Sequence, residues 1–234
     1  MSAPPLAGRL AVVAGASRGI GLAIAEELRS AGAHVVRLSR SLADAEQERR
    51  TDIGCDLTRP EDVGRAARRV IGERGAPDVL VNAAGTFLLK PLGETSSAEF
   101  AAQLATNLVG PFTVLREFVA PMVARRCGQV ITIGSVADHT ALAGNAAYAA
   151  GKFGLRGLHG VLAAELAGTG VRATLIAPGP VDTALWDDVD PDARPGFTRR
   201  RDMLRAEDVA EAVLFVATRP AHVAIPELFI EPRR

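Results

Sequence analysis

Residues 10–31 read LAVVAGASRGIGLAIAEELRSA, and this stretch joins three elements in immediate succession. The apolar run at its start predicts a strand that is buried on both faces, and the Ala-, Ile- and Leu-rich remainder predicts a helix. Glycines between a strand and a helix permit a tight turn, and the N–H groups of the helix N-terminus bind phosphate. We therefore predict a pyrophosphate-binding turn, the alternative being a turn that serves only helix-on-strand packing. The predicted turn residues are Gly15, Ser17, Arg18, Gly19, Ile20 and Gly21.

The rest of the chain alternates apolar runs with amphipathic stretches, which is typical of βαβ units with right-handed crossovers. We therefore predict an α/β fold: a single doubly wound Rossmann-type domain over residues 1–234, with a parallel sheet of about seven strands and helices on both faces. The predicted strands are 10–14, 35–38, 53–55, 79–81, 130–133, 171–176 and 227–230. The predicted helices are 20–31, 60–72, 98–126, 146–167 and 206–218.

Local signals refine this prediction at three places. The interval between Arg40 and Cys55 is short, polar and charged, so we expect only a short crossover helix there. Ser96 followed by Glu99 predicts a capping box at a helix start. Residues 182–202 are rich in breakers and charges and predict a long loop after a strand, where such folds place substrate contacts.

Composition narrows the functional classes. The 27 basic and 27 acidic side chains balance, which gives no indication of a nucleic-acid or acidic-membrane partner. Cys55 and Cys127 lack any disulfide or zinc-binding spacing, and the four histidines lack ligand spacing, so we expect no metal. The N-terminus lacks the pattern of a signal peptide, and no apolar run is long enough to span a bilayer. We expect a cytoplasmic protein.

Tyr148 is the only tyrosine, and Lys152, one of two lysines, follows it by four residues. On a helix these side chains share a face. At about 5 Å and an effective dielectric near 20, the ammonium would favour the phenolate by about 3 kcal/mol and lower the tyrosine pKa by about two units. A phenol shifted in this way would suit general acid–base catalysis. The alternative is an ordinary buried tyrosine beside a snorkelling lysine.

The end of the second predicted strand indicates which dinucleotide is preferred. Sites that prefer NAD carry Asp or Glu there to bind the ribose 2′-hydroxyl, whereas this chain has Ser39 and Arg40. Arg40 can pair with a 2′-phosphate and Ser39 can hydrogen-bond it, with Arg18 in reach of the same group. The sequence therefore predicts NADP as the cofactor.

Together these residues resemble the short-chain dehydrogenase/reductase family along nearly the whole chain. The glycine turn matches the family motif, and a catalytic tetrad follows in the family's order: Asn107, Ser135, Tyr148 and Lys152. The resemblance also implies cofactor contacts by Asp56, Leu57, Asn82, Ala83, Ala84, Gly85, Pro178, Gly179, Val181 and Thr183, besides Tyr148 and Lys152.

Three features depart from the family pattern. Ala14 replaces a usual threonine and Ala83 replaces a usual asparagine, so two structural hydrogen bonds must be absent or made otherwise. The C-terminal segment 222–228 lacks the glycine-rich ending of 3-oxoacyl reductases. It resembles the tail of members that act on serine-like acids, 3-hydroxy acids or varied ketones.

The resemblance implies hydride transfer between a nicotinamide and a carbonyl or alcohol carbon. Tyr148 would donate the proton, Ser135 would hydrogen-bond the substrate oxygen, and Lys152 would lower the phenol pKa and bind the ribose. The backbone carbonyl of Asn107, freed by a kink near Pro111, would hold a water. Each serine or asparagine also has a plain structural interpretation, as a loop or helix-bulge residue.

The leading hypothesis is an NADPH-dependent carbonyl reductase that also runs as an alcohol dehydrogenase. Alternatives are a 3-oxoacyl-thioester reductase and a non-catalytic NADP-binding protein. The predicted loops favour a hydrocarbon-bodied substrate, and we interpret the arginine run 199–201 as solvated. The Ala-rich helices from residues 98 and 146 predict a homodimer or homotetramer. The predicted substrate-loop residues are Phe87, Leu88, Leu89, Ala141, Leu142, Leu185, Trp186, Val189 and Phe197.

Overall fold

The protein is represented by a computed structural model, which describes residues 3–140 and 142–233. Its centre is an eight-stranded sheet with the order β3-β4-β2-β1-β5-β6-β7-β8. Every neighbouring pair is parallel except β3 with β4. The strands are β1 (Leu10–Ala14), β2 (His34–Ser39), β3 (Ala45–Gln47), β4 (Arg50–Gly54), β5 (Val79–Asn82), β6 (Gly128–Ile133), β7 (Val171–Pro178) and β8 (Glu227–Ile230).

Helices cover both faces of the sheet, and each face has its own apolar core. Helices α1 and α6 pack together over one face, where Ile24, Leu28 and Val213 are fully buried. Helices α2, α4 and α5 cover the other face, around the fully buried Phe118 and Met122. The predicted α/β class with a doubly wound sheet is therefore confirmed. The helices are α1 (Gly19–Ser30), α2 (Pro60–Arg74), α3 (Ser97–Leu104), α4 (Gly110–Arg125), α5 (Ala146–Glu165) and α6 (Ala206–Ala217).

The strand order reverses at β1, which pairs with β2 on one side and with β5 on the other. In an open parallel sheet, the loops that leave the carboxyl ends of two such strands diverge to opposite faces and leave a crevice between them. The five central strands are rich in Val, Leu, Ile and Ala and are mostly buried, as expected for strands covered on both faces. The fold therefore provides a binding crevice at one edge of the sheet.

The prediction of a short crossover helix between Arg40 and Cys55 is wrong. The chain instead forms β3, which runs antiparallel to β4 through a turn with Arg49 at a φ of 56°. The Asp44 carboxylate accepts a hydrogen bond from the Gly54 N–H and pairs with Arg69 on α2. These polar contacts hold an edge strand that the hydrophobic pattern of the sequence does not predict.

The long helix predicted over 98–126 is two helices joined by a π-helical turn at Ala105–Val109. Pro111 lacks an N–H and therefore cannot donate to the carbonyl four residues earlier. The Gly110 N–H bonds to the Ala105 carbonyl, which is the five-residue spacing of a π turn. The capping box of Ser96 and Glu99 at the start of α3 is confirmed.

None of the helices in the described part of the chain is long and apolar enough to cross a membrane. The loop predicted over 182–202 is irregular, with short 3-10 turns at Ala184–Trp186, Pro191–Ala193 and Arg200–Asp202. Within it, Arg200 forms ion pairs with Asp182 and Asp187, so the middle of the arginine run is neutralised inside the loop.

Candidate active site

A cleft of about 800 Å³ opens at the carboxyl ends of the strands, where the strand order reverses. Its floor includes the glycine turn, and its far end is closed by the loop after β7. All the predicted cofactor and catalytic residues line this cleft except Asn82 and Asn107, which lie just behind its wall. The fold thus brings together residues that are separated by up to 168 positions in the chain, from Gly15 to Thr183.

The glycine turn is shaped for close backbone approach. Gly15 has a φ of 86°, and a side chain there would place its Cβ 2.5 Å from the backbone N of Ala84. A Cβ on Gly21 would overlap the Gly15 carbonyl. The residue before α1, Arg18, makes no side-chain cap, so no side chain occupies the N–H groups of the first helical turn. This combination fits a pyrophosphate group.

Two serines and two arginines form the neighbouring wall. The Ser39 hydroxyl donates to the Ser17 hydroxyl at 3.0 Å, which fixes the loop after β2 against the glycine turn. Arg18 and Arg40 are exposed, and neither forms a side-chain hydrogen bond or ion pair within residues 3–140 and 142–233. The end of β2 carries no carboxylate. These two guanidinium groups are therefore available to bind a dianionic phosphate.

The loops after β4 and β5 form the next part of the cleft. Asp56 accepts hydrogen bonds from the Thr58 N–H and hydroxyl, at 3.0 and 2.7 Å. Leu57, Ala83, Ala84 and Gly85 line the wall beside it. The Ala83 N–H donates to the Ala14 carbonyl at 2.9 Å, so a backbone bond joins the two positions where the family's usual side chains are missing.

Asn82 and Asn107 hold the wall from behind. The fully buried Asn107 clamps the backbone of Thr86, accepting from its N–H and donating to its carbonyl, both at 3.0 Å. The Asn82 amide donates to the Pro111 carbonyl at 3.4 Å, while its buried Oδ1 has no hydrogen-bond partner. The kink predicted near Pro111 is present as the π turn, and the role of the Asn107 carbonyl stays a prediction.

Helix α5 carries Tyr148 in its first turn and Lys152 one turn later. The buried Lys152 ammonium donates to the Ile133 carbonyl at 3.0 Å and lies 5.8 Å from the centre of the Tyr148 ring. Ser135, two residues beyond Ile133, faces the same cleft and accepts a hydrogen bond from the Ala137 N–H at 3.1 Å. Three of the four predicted catalytic residues, Ser135, Tyr148 and Lys152, therefore meet at one point of the cleft.

The acidity of the phenol differs from the prediction. Burial raises the pKa of Tyr148 to about 12, although the neighbouring Ser135 hydroxyl opposes this shift and the nearby Asp138 carboxylate adds to it. Burial also lowers the pKa of Lys152 to about 8, against the opposing attraction of Asp138. Desolvation of both groups outweighs the expected stabilisation of phenolate by ammonium, because the ammonium is directed at the Ile133 carbonyl.

The loop after β7 closes the cleft. The Gly179 N–H bonds to the Ile230 carbonyl at 2.7 Å, and the Thr183 hydroxyl caps the turn at Leu185. Trp186 is anchored by its indole N–H to the Val181 carbonyl at 3.0 Å. Pro178 and Val181 line the cleft beside them.

A series of rings lines the end of the cleft beyond Ser135. The Phe87 ring lies 4.9 Å from the Tyr148 ring and 5.0 Å from the Trp186 ring, and Trp186 in turn contacts Phe197 at 6.3 Å. Of the other predicted substrate-loop residues, Leu89, Leu142 and Leu185 line the cleft, while Leu88 and Val189 do not. Ala141 lies outside the described residues.

Asp138 and Gln103, which support the site from behind, were missed from the sequence. Asp138 is fully buried beneath Ser135, and its Oδ2 accepts the Ser135 N–H at 3.0 Å. The only available signal was an acidic residue three positions after the predicted serine, the spacing of a capping box. Gln103, which accepts from the Asn107 amide at 2.9 Å, carried no signal because a helical glutamine is usually exposed.

The sequence model of the short chain dehydrogenase family matches residues 9–194. The chain therefore belongs to the short-chain dehydrogenase family, and it is an oxidoreductase. It is 34% identical over 220 residues to the 3-oxoacyl-acyl-carrier-protein reductase of Salmonella typhimurium, and the match covers 90% of each chain.

Two solved structures extend this similarity over nearly the whole fold. A metagenomic short-chain oxidoreductase in complex with NADP is 33% identical, with a TM-score of 0.81 and coverage of 98% of this chain and 99% of that one. Serine dehydrogenase from Escherichia coli is 29% identical, with a TM-score of 0.82 and coverage of 95% and 97%.

Proposed function

We propose that the protein is an NADP(H)-dependent carbonyl reductase, which also oxidises the corresponding secondary alcohols. The observation that carries this proposal is the meeting of Ser135, Tyr148 and Lys152 in the same cleft as the glycine turn. A carbonyl oxygen placed between the serine and tyrosine hydroxyls would receive two hydrogen-bond donors. This arrangement favours a developing alkoxide over the ground-state carbonyl.

The residues present fit NADP. The glycine turn and the open N-terminus of α1 would hold the pyrophosphate, and Arg18, Ser39 and Arg40 would hold a 2′-phosphate. Asp56 would contact the adenine end and Lys152 the ribose at the other end. The metagenomic relative in complex with NADP supports this proposal. When bound, NADPH supplies the hydride that reduces the carbonyl carbon.

The chain's own residues handle the proton. With its pKa raised to about 12, Tyr148 is fully protonated at neutral pH and is ready to act as the acid in reduction. Ser135 would hold the substrate oxygen in line with the phenol. The Asn107 clamp on Thr86 fixes the wall against which the nicotinamide ring would lie. In oxidation the phenol must first lose its proton, and the raised pKa disfavours that deprotonated form at neutral pH.

The substrate end of the cleft selects against charge. Among the lining residues in the described parts of the chain, the charged ones are Arg18, Arg40 and Asp56 at the cofactor end, together with Lys152. The remaining substrate wall is mainly aromatic and aliphatic, and its polar side chains, such as Asn145 and Thr198, are neutral. A carboxylate or phosphate placed there would be desolvated without a cationic partner. We therefore infer a neutral ketone or aldehyde with an aromatic or aliphatic body, rather than a 3-oxo acid or a serine-like acid.

A 3-oxoacyl thioester is the second candidate substrate. The relative from Salmonella typhimurium is named as a reductase of such thioesters, and the reacting β-carbonyl of a thioester is itself uncharged. The cleft described here is compatible with this group as well, so both classes belong in the same assay.

We further propose that the protein is a homodimer or homotetramer. Five large apolar side chains are exposed on α3, the π turn, α4 and α5, elements that pack against one another on one side of the molecule. A second copy of the chain would bury this surface through symmetric helix packing. The five side chains are Phe100, Val109, Phe112, Phe153 and Val161.

Tyr148→Phe removes the proposed acid and keeps the ring. We expect kcat for ketone reduction to fall by about 100-fold or more, because general acid catalysis contributes at least that factor. NADPH binding, measured by quenching of the tryptophan fluorescence, should change less than about threefold. Phe215→Tyr, at an exposed ring on α6 outside both the cleft and the proposed association surface, is the control. A Tyr148→Phe enzyme with more than a tenth of normal kcat would contradict the assignment.

Arg40→Asp places a carboxylate where the 2′-phosphate is proposed to bind. We expect kcat/KM for NADPH to fall at least about 10-fold while that for NADH rises, since a charge-assisted hydrogen bond is replaced by repulsion. Arg201→Asp, at an exposed arginine outside the cleft, should leave the ratio of the two cofactors unchanged. If the ratio is the same in both variants and the wild type, the predicted NADP site is wrong.

Pairs of similar substrates that differ in charge test the inferred preference of the cleft for neutral compounds. We expect acetophenone and ethyl acetoacetate to have kcat/KM values at least about 100-fold above those of 4-acetylbenzoate and acetoacetate, because the acids must bury an unpaired charge. An N-acetylcysteamine thioester of acetoacetate reports on the second candidate. Leu185→Arg, which adds a cation to the wall, should reduce the difference in kcat/KM between neutral ketones and acids. Leu92→Arg, at an exposed residue that does not line the cleft, should not. Equal rates for acids and neutral ketones would rule out the inferred selectivity.

The double substitution Phe112→Glu and Val161→Glu tests the association. Charges on the exposed apolar surface should convert the assembly to monomers, as measured by light scattering coupled to gel filtration. Leu92→Glu, at an exposed apolar residue outside α3, the π turn, α4 and α5, should leave the mass unchanged. A wild-type protein with the mass of one chain at micromolar concentration would contradict the proposal.

A further inference from the structure

Among the described residues around the catalytic cleft, Asp138 carries the one fully buried carboxylate. The mechanism above does not use it. It begins a series of polar side chains that leads away from the cleft. His139 contacts its Oδ1 through Nδ1 and reaches Glu227 through Nε2 at 3.1 Å. Glu227, on β8, is held by Arg156 of α5. The exposed fraction of the side chain rises along this path from 0% at Asp138 to 35% at Arg156.

The two oxygens of Asp138 have different surroundings. Oδ2 accepts the Ser135 N–H and packs so closely on Gly134 that a Cβ at that glycine would lie inside its contact distance. Oδ1 faces His139 and lies 3.9 Å from the Arg156 guanidinium. One oxygen therefore holds the backbone of the serine, and the other is turned toward the surface network.

Lys152 holds the same backbone segment from the cleft side. Its ammonium bonds to the Ile133 carbonyl, one residue before Gly134. Segment 133–135 is thus held at both ends: the Lys152 ammonium bonds to the Ile133 carbonyl, and the Asp138 carboxylate accepts the Ser135 N–H. Arg156 and Glu227 pair with each other, and the Asp138 carboxylate stabilises the Lys152 ammonium that is bonded to this same short segment.

We propose that Asp138 is a positioning residue for the proposed reaction: it fixes Ser135 through the backbone and supplies the negative charge that faces Lys152. This inference rests on the proposed reductase function. The two actions are separable, since a hydrogen-bond acceptor suffices for the first and a charge is needed for the second. Asparagine can supply the acceptor without the charge.

The charge has a predicted consequence for the pH dependence. Burial lowers the pKa of Lys152 to about 8, and Asp138 opposes this shift, so removing the carboxylate must lower that pKa further. If the ammonium form is needed, wild-type reduction falls as pH rises through about 8. In Asp138→Asn the fall must begin at lower pH.

The other ionisable groups around Asp138 do not account for this fall in the reduction rate with rising pH, which we call the basic limb of the pH profile. Burial lowers the pKa of His159, on α5, to about 4, so this residue is neutral in the range concerned. Arg156 holds the pKa of Glu227 below its ordinary value, and Tyr148 titrates near 12. His139 is the remaining neighbour and is tested by substitution.

The experiment compares kcat/KM for a neutral ketone between pH 6 and 10 in the wild type, Asp138→Asn, Asp138→Ala and His139→Gln. We expect Asp138→Asn to keep kcat at pH 6 within about threefold and to move the basic limb down by at least half a unit. Asp138→Ala should also lose kcat at pH 6, by about 10-fold, because the Ser135 N–H loses its acceptor. His139→Gln should keep the limb.

Asp52→Asn is the matched control. It removes another buried carboxylate, one paired with Arg37 at 2.6 and 2.7 Å and remote from the cleft. We expect it to lower the Tm while leaving the basic limb in place. If Asp138→Ala fails to fold, the nearly isosteric Asp138→Asn alone decides the question.

Three results would overturn the proposal: superimposable limbs in Asp138→Asn and the wild type, an equal shift in Asp52→Asn, or loss of the limb in His139→Gln. A wild-type enzyme that binds NADPH but reduces no carbonyl compound would instead refute the proposed function. The two failures are therefore distinguishable.

Discussion

The hydrogen bond between the Lys152 ammonium and the Ile133 carbonyl ties the catalytic helix to the sheet. It joins the second turn of α5 to the last residue of β6, and so fixes where Tyr148 stands relative to Ser135. A buried ammonium is unfavourable unless polar groups compensate it. The carbonyl at the end of a strand is one such group, because beyond the strand it no longer has a regular ladder partner. The relative position of the proposed catalytic side chains therefore depends on this one contact.

Burial has opposite effects on the acidities of Tyr148 and Lys152. It makes the phenol a weaker acid and the ammonium a stronger one, which brings their pKa values to about 12 and about 8. The order of ionisation on raising the pH is then lysine before tyrosine. A simple through-space attraction between the two side chains does not describe this site. Their desolvation, together with the field of Asp138, does.

The sequence predicted the sheet well because parallel strands buried on both faces need continuous Val- and Ile-rich runs, which are visible without any structure. It missed β3 because an exposed edge strand of three residues leaves no hydrophobic pattern. The glycine turn and the spacing of Tyr148 and Lys152 were local signals and could be predicted. The raised phenol pKa and the position of Asp138 could not, since both depend on what the rest of the fold packs around them.

The π turn in the wall of the cleft also depends on tertiary contacts. Pro111 made an irregularity predictable, but its form follows from the clamp between Asn107 and Thr86 and from the close packing of Gly151 on Asn107. A regular α-helix through this segment would rotate Asn107 away from both. The local sequence permits the turn, and the neighbouring elements select it.

The short strand β3 has a consequence for the behaviour of the molecule in concentrated solution. An uncovered strand at the rim of a sheet is a template on which another chain can add, and long, flat, apolar rims promote fibril growth. Here the rim ends in three residues with an alanine, a glutamate and a glutamine, and Glu46 is engaged by Arg74. This short, charged edge strand offers an incoming strand few backbone partners, and it protects this edge of the sheet from self-templated aggregation.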